Sequence, residues 1–248
     1  MFGMRSPLRR RTRDEAEKPF WISFSDLMTA LMVLFLVAMA VALMAVTQGL
    51  RTIESEKRER DESIRSCVSE ISVIVQKPEF KGVQIRGHAI EFGTLAEFSR
   101  NGNDLSPDRR AFLRRFVPQV IEIARHESCH KWLKRVIVEG FASQEGSYLY
   151  NLNLSLERSQ RVLCVLLDSS ASDAPSKEDR KAIRTLFLVG GSSFNSVKKS
   201  PEESRRVELR LEFKELRKDC LAGEPACEDA PQVDLPWDED SKCPVYSR

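Results

Sequence analysis

Phe20-Trp21-Ile22-Ser23-Phe24-Ser25-Asp26-Leu27-Met28-Thr29-Ala30-Leu31-Met32 opens an apolar stretch that carries no charge from Leu27 to Val46. At roughly 1.5 Å rise per residue, about 20 such residues cross the roughly 30 Å hydrocarbon core once as a helix. No later run compares, since Leu163 to Leu167 is short and bounded by charge. One carboxylate, Asp26, sits at the entrance of the span. An ionisable group there costs roughly 2.5–3.5 kcal/mol on insertion scales, so its presence points to binding or relay of an ion. Low-dielectric surroundings penalise the charged carboxylate, which couples proton uptake and release to access from either side. Ser23 and Thr29, three residues to either side, fall on the same helix face as candidate hydrogen-bond partners of the acid.

Arg5, Arg9, Arg10, Arg11 and Arg13 precede the span, whereas Arg51 to Arg65 mixes both signs. This asymmetry places the N-terminus in the cytoplasm and everything after the span outside, with Phe20 and Trp21 as an interfacial anchor. The same arginines and Ala38-Met39-Ala40 also fit a cleaved signal peptide, but the apolar run continues past Ala40, which favours a retained anchor. The formal net charge of +2 gives no case for nucleic acid.

The remaining chain reads as a basic N-terminus (1–19), a span (20–48), a charged helical stalk (49–69), one domain (70–216) and an acidic proline-containing tail (217–248). In the domain, Ser72 to Val75, Val83 to Arg86 and Ala89 to Phe92 read as strands, the last two joined by a turn at Gly87-His88. Ser106 and Pro107 supply an N-cap and first position for a helix carrying Phe112, Phe116, Ile121 and Ile123. Val136 to Val138 is a buried strand, and Leu149 to Asp168 and Lys177 to Thr185 are helices. Leu186 to Val189, ending at Gly190-Gly191, and the alternating Val207 to Phe213 complete the strands. The order predicts an α/β domain, a mixed sheet with helices on one face, behind a single transmembrane α-helix.

All six cysteines follow the span, on the side where disulfides form. Bridges are expected among Cys67, Cys129, Cys220, Cys227 and Cys243, with Cys164 as a buried free thiol inside a helix. Connectivity does not follow from spacing. No CxxC pair or histidine at metal spacing is present. His88, His126 and His130 fall in turn or loop contexts without a nucleophile or carboxylate pair, so neither a metal, a cofactor nor an enzymatic activity is expected.

The stretch Phe20 to Met32 resembles the membrane motif of MotB-type stator subunits. Gly140 to Val162, with Gly146, Asn151, Leu154, Ser155 and Arg158, together with Ser204-Arg205-Arg206-Val207, resembles the OmpA-like peptidoglycan-binding signature. Glu15 to Trp21 and Gly146 to Asn151 look most like the stator subunit of Zorya anti-phage defence systems. The resemblance implies an ion site at Asp26, with H⁺ favoured over Na⁺, and two copies of the chain inside a ring of a ZorA-like multi-span subunit. It also implies peptidoglycan contacts through Tyr150, Asn151, Leu154 and Arg158, with Ser143 and Arg206 as weaker members, and an indirect link to cytoplasmic defence effectors. The inner membrane is the implied location. Arg158 would pair a ligand carboxylate as a bidentate cation. The family's usual Thr-Asp is replaced by Ala142-Ser143, so the acid that would hold the diaminopimelate ammonium is missing, with Gln144 or Glu145 as substitutes. A flagellar MotB-type stator and a passive peptidoglycan tether are the alternatives.

Overall fold

The computed structural model describes residues 14–216 and 243–246. Helix α1 (Asp14–Val75) contains the apolar stretch and, among the described residues, is the one helix long and apolar enough to cross a membrane. The chain divides into two compact units, residues 1–57 and 58–248. In the first, every described side chain from Phe24 to Leu50 is exposed, as befits a surface meant for lipid or another helix rather than for its own core.

The second unit contains a five-stranded mixed sheet in the order β1-β2-β5-β3-β4. Its strands are β1 (Gln84–Arg86), β2 (Ala89–Glu91), β3 (Leu133–Gly140), β4 (Phe187–Gly191) and β5 (Val207–Phe213). Only β3 and β4 are parallel. The helices are α2 (Pro107–Ala124), α3 (Glu127–His130), α4 (Tyr148–Leu167), α5 (Lys177–Leu186) and α6 (Pro201–Ser204). Alternation on the central strands explains the layering. Val136 pairs with Leu211 and Val138 with Leu209, and all four are buried. The flanking Arg135 and Glu139 instead form ion pairs with Glu212 and Arg210 on the opposite face. One face therefore takes the helices and the other stays charged. Under the helices, Phe80, Phe92, Phe112 and Phe116 meet edge-on or stacked, Phe80 and Phe116 at 5.0 Å between ring centres.

Several local expectations are corrected or refined. Ser72 to Val75 is the end of α1, not a strand. Ile64, Cys67, Ile71 and Ile74 recur every three or four residues and are all buried in the core, whereas Val73 faces solvent, so tertiary packing of a helical stripe overrides the β-branched run. Ser106 does occupy the cap of α2 but makes no capping hydrogen bond; the neighbouring Asp104 Oδ1 accepts from the Leu105 N–H and from Arg110. Cys164 is bonded to Cys243, because the C-terminal segment returns to α4; it is not a free thiol. Cys220 and Cys227 lie outside the described residues. His126 stands in the bend before α3, as expected, whereas His130 is the last residue of that short helix rather than part of a loop.

The second bridge, Cys67–Cys129, joins the buried stripe of α1 to α3 across 62 residues of chain, a closure worth about 2–4 kcal/mol. Arg60 Nε donates to the Lys214 carbonyl at 2.7 Å and Lys131 pairs with Glu59, which fastens the same segment at its other end.

The Arg135 and Lys134 side chains donate to Glu212 and hold its carboxyl below the ordinary value of 4.5. A carboxyl with a depressed folded-state pKa contributes stability above its unfolded pKa and loses it as pH falls through the folded value. Urea denaturation of residues 58–248 should therefore show Glu212→Gln less stable than wild type at pH 7 and the gap closing by about pH 3. A gap of equal size at both pH values would refute the linkage.

Candidate functional site

The span presents Asp26 on an exposed face shared with Thr29, Ala30, Val33 and Val37, residues spaced three, four, seven and eleven along the helix. The Thr29 hydroxyl donates to the Asp26 main-chain carbonyl at 2.8 Å, within the helix. Ser23 lies in α1 and its side chain falls outside the described residues. The carboxylate is thus presented on a helix surface of small and β-branched apolar side chains.

A second constellation forms where β3 ends against the start of α4. Gly140 closes β3, and a Cβ there would stand 1.9 Å from the Ser155 carbonyl oxygen; at Gly191 it would stand 2.7 Å from Ser155 Oγ. Helix α4 therefore rests directly on the ends of β3 and β4, a closeness only glycine permits. The chain then leaves β3 through Phe141, Ala142 and Ser143, all buried. The Phe141 N–H donates to the Arg206 carbonyl at 2.9 Å and the Ala142 N–H to the Ser193 carbonyl at 2.8 Å. Gly146, with φ of +91°, turns the chain into α4, where Ser147 caps by accepting from the Tyr150 N–H at 3.3 Å.

Asn151, Leu154 and Arg158 lie on one buried face of α4, while Tyr150 turns outward and is 39 % exposed. Asn151 Nδ2 donates to the carbonyls of Glu145 at 2.7 Å and Ser147 at 3.1 Å, bracing the turn. Arg158 has no exposed surface. Its Nε donates to the Gly102 carbonyl at 2.9 Å, one terminal nitrogen to Phe141 at 2.8 Å and the other to Ser99 at 3.1 Å. Burial, and then the positive charge of Arg205, lower its pKa to about 10, so it remains a cation at neutral pH. Its neutral acceptors offset part of the desolvation cost but supply no counter-charge.

Arg206 precedes β5 and is also buried. It pairs with Glu208 at 2.6 Å, donates to the Ser196 carbonyl at 3.1 Å and lies 4.1 Å from the centre of the Phe141 ring. Glu145 pairs with Arg100 at 2.9 Å, and Gln144 is exposed. The fold thus assembles Ser143, Asn151, Leu154, Arg158 and Arg206 at one end of the sheet, with Tyr150 at their edge. Two further members had no signal in the sequence. Ser193 holds a left-handed φ of 50°, takes the Ser155 Oγ as acceptor for its N–H at 3.0 Å and donates its hydroxyl to the Tyr148 carbonyl at 3.1 Å. Asn103, wholly buried, stands behind the loop that encloses Arg158.

A carboxylate on an apolar helix long enough to cross a membrane, followed by this mixed-sheet domain, defines the class, a MotB-like membrane subunit. The profile described as membrane MotB of the proton-channel complex MotA/MotB matches residues 9–52. The chain is 43 % identical over 217 residues to the Zorya protein ZorB of Escherichia coli O139:H28, covering 86 % of this chain and 88 % of that protein. The chain belongs to the ZorB family. Among solved structures, it is similar to the OmpA-like domain of FopA1 from Francisella tularensis, at 17 % identity and TM-score 0.34, over 56 % of this chain and 90 % of that one. It is also similar to the periplasmic domain of Helicobacter pylori MotB, at 13 % identity and TM-score 0.37, over 54 % and 83 %. These looser likenesses add nothing to the assignment, which rests on sequence identity.

Proposed function

We propose that the chain is the peptidoglycan-anchored stator subunit of an H⁺-driven motor in anti-phage defence. Proton passage at Asp26 drives rotation of a ring of ZorA-like multi-span subunits around two copies of this chain. The N-terminus faces the cytoplasm, where the ring acts on defence effectors, and the sheet domain grips the wall outside the inner membrane. The observation that carries the reading is the placement of Asp26 on an unpaired apolar helix face, within a segment matching the MotB profile. A single carboxylate in lipid has no aqueous path of its own, so this face requires partner helices to become an ion route.

The end of the sheet is the wall-binding half of the same reading. Arg158 is the cation for a peptide carboxylate, reached once the loop carrying Ser99 and Gly102 moves aside, and Tyr150 forms an amphipathic rim. Ser143 stands where an acid would receive the ligand ammonium. Purified residues 58–248, which include the buried stripe of α1, should co-sediment with peptidoglycan. Ser143→Asp should tighten retention about tenfold, the order of one charge-assisted hydrogen bond. No sedimentation of either form would remove the wall from the function.

A further inference from the structure

Arg158 is caged by a loop that has no regular structure of its own. Two of its three acceptors, Ser99 and Gly102, belong to that loop, which bends through Asn101 at φ 55°. The C-terminal segment closes it from behind. Asn103 Nδ2 donates to the Tyr246 carbonyl and to Glu157 Oε2, each at 2.9 Å. Arg161 reaches the Asn103 carbonyl at 3.3 Å with Nε and the Val245 carbonyl at 2.8 Å with a terminal nitrogen. Glu157, Arg161 and Cys164 follow at helical spacing on α4, and Cys164 bonds covalently to Cys243. The strap from Cys243 to Tyr246 is thus tied at its start by one disulfide and along its length by two side chains that also hold the loop.

The two bridges among the described residues differ in accessibility. Cys67 and Cys129 are fully buried, whereas Cys164 is half-buried and Cys243 is exposed. Arg161 also lies 3.6 Å from Cys243 Sγ, where its charge stabilises a departing thiolate and so speeds exchange at the partner sulfur.

We propose that Cys164–Cys243 is a thiol-sensitive latch that keeps the 99–103 loop closed over Arg158. A dithiol reductant attacks Cys164 Sγ as its thiolate and expels the Cys243 thiolate beside Arg161. Its second thiol then resolves the mixed disulfide. Two electrons pass to the chain, leaving two cysteine thiols and one cyclic, oxidised reductant. The freed strap no longer braces Asn103, the loop loosens, and a ligand carboxylate gains access to Arg158. This last step rests on the wall-anchor reading above.

The test treats the full-length chain in detergent with increasing dithiothreitol, followed by alkylation mapped cysteine by cysteine. Hydrogen exchange and peptidoglycan sedimentation are measured on the same samples. Cys164 and Cys243 should label at concentrations that leave Cys67 and Cys129 protected, while amides 99–104 exchange about tenfold faster and β3 and β5 stay unchanged. Retention on peptidoglycan should rise, and the Cys164→Ala/Cys243→Ala variant should behave like the reduced chain. Simultaneous opening of both bridges, or unchanged exchange at 99–104 once Cys164 and Cys243 are labelled, overturns the latch. Retention that stays flat or falls while the loop opens overturns its control of Arg158. If neither redox form sediments, the wall reading fails, and the exchange data still decide the latch.

Discussion

Cells carrying Asp26→Asn should lose phage protection completely, plating phage like cells without the gene, while the protein reaches the membrane in normal amounts. Asparagine keeps the size of the side chain and its place on the exposed face but has no proton to take up or release, so an ion-coupled step stops rather than slows. Thr29→Ala should have a small effect by comparison, because its hydroxyl is spent on the Asp26 main-chain carbonyl. Full protection in the Asp26→Asn strain would leave only a passive tether. Lost swimming with protection intact would assign the chain to motility instead. Scoring both phenotypes in one strain separates the three.

Gly140→Ala should be the most destabilising single change in the sheet domain. A methyl group there would sit 1.9 Å from the Ser155 carbonyl oxygen and 2.9 Å from its carbon, both backbone atoms of α4 that cannot rotate away. Either the helix lifts off the strand ends or the strand bends, and overpacking of this kind costs about 3 kcal/mol or more. At Gly190 the nearest atom to an added Cβ is the Ile137 Cγ2 at 3.5 Å, an ordinary contact, so Gly190→Ala should change stability by less than about 1 kcal/mol. Urea denaturation of residues 58–248 compares the two. Equal midpoints would mean that α4 does not rest on β3 as closely as described. Because the same contact seats α4, which carries Asn151 and Arg158, on the end of β3, Gly140→Ala should also abolish peptidoglycan sedimentation.

Much of the element order was legible from local pattern. Val207 to Phe213 alternates along its whole length and is β5, and the apolar spacing within Leu149 to Asp168 matches α4 to within a residue at each end. The strand expected at Ser72 to Val75 failed because β-branched residues describe a tendency, whereas Ile71 and Ile74 belong to a stripe whose burial only the folded domain supplies. Cys164 misled for a related reason. Its apolar neighbours suit a buried thiol, but its partner lies 79 residues away. Arg158 was legible as a cation of interest and not as a caged one, since its acceptors come from three backbone carbonyls whose identity no side-chain motif records.

By itself the sequence determined the apolar span, the single carboxylate at its entrance and the alternation of strands and helices. These depend on composition and on periodicities of two or three to four residues, which operate within one element. The tertiary structure alone decided that the stripe from Ile64 to Ile74 belongs to the core, which cysteines pair, that α4 touches β3 at Gly140, and that Arg158 sits closed behind the 99–103 loop. Each of these sets atoms from distant parts of the chain within a few ångströms of one another, and that distance is fixed by the packing of the whole domain rather than by any neighbour in sequence.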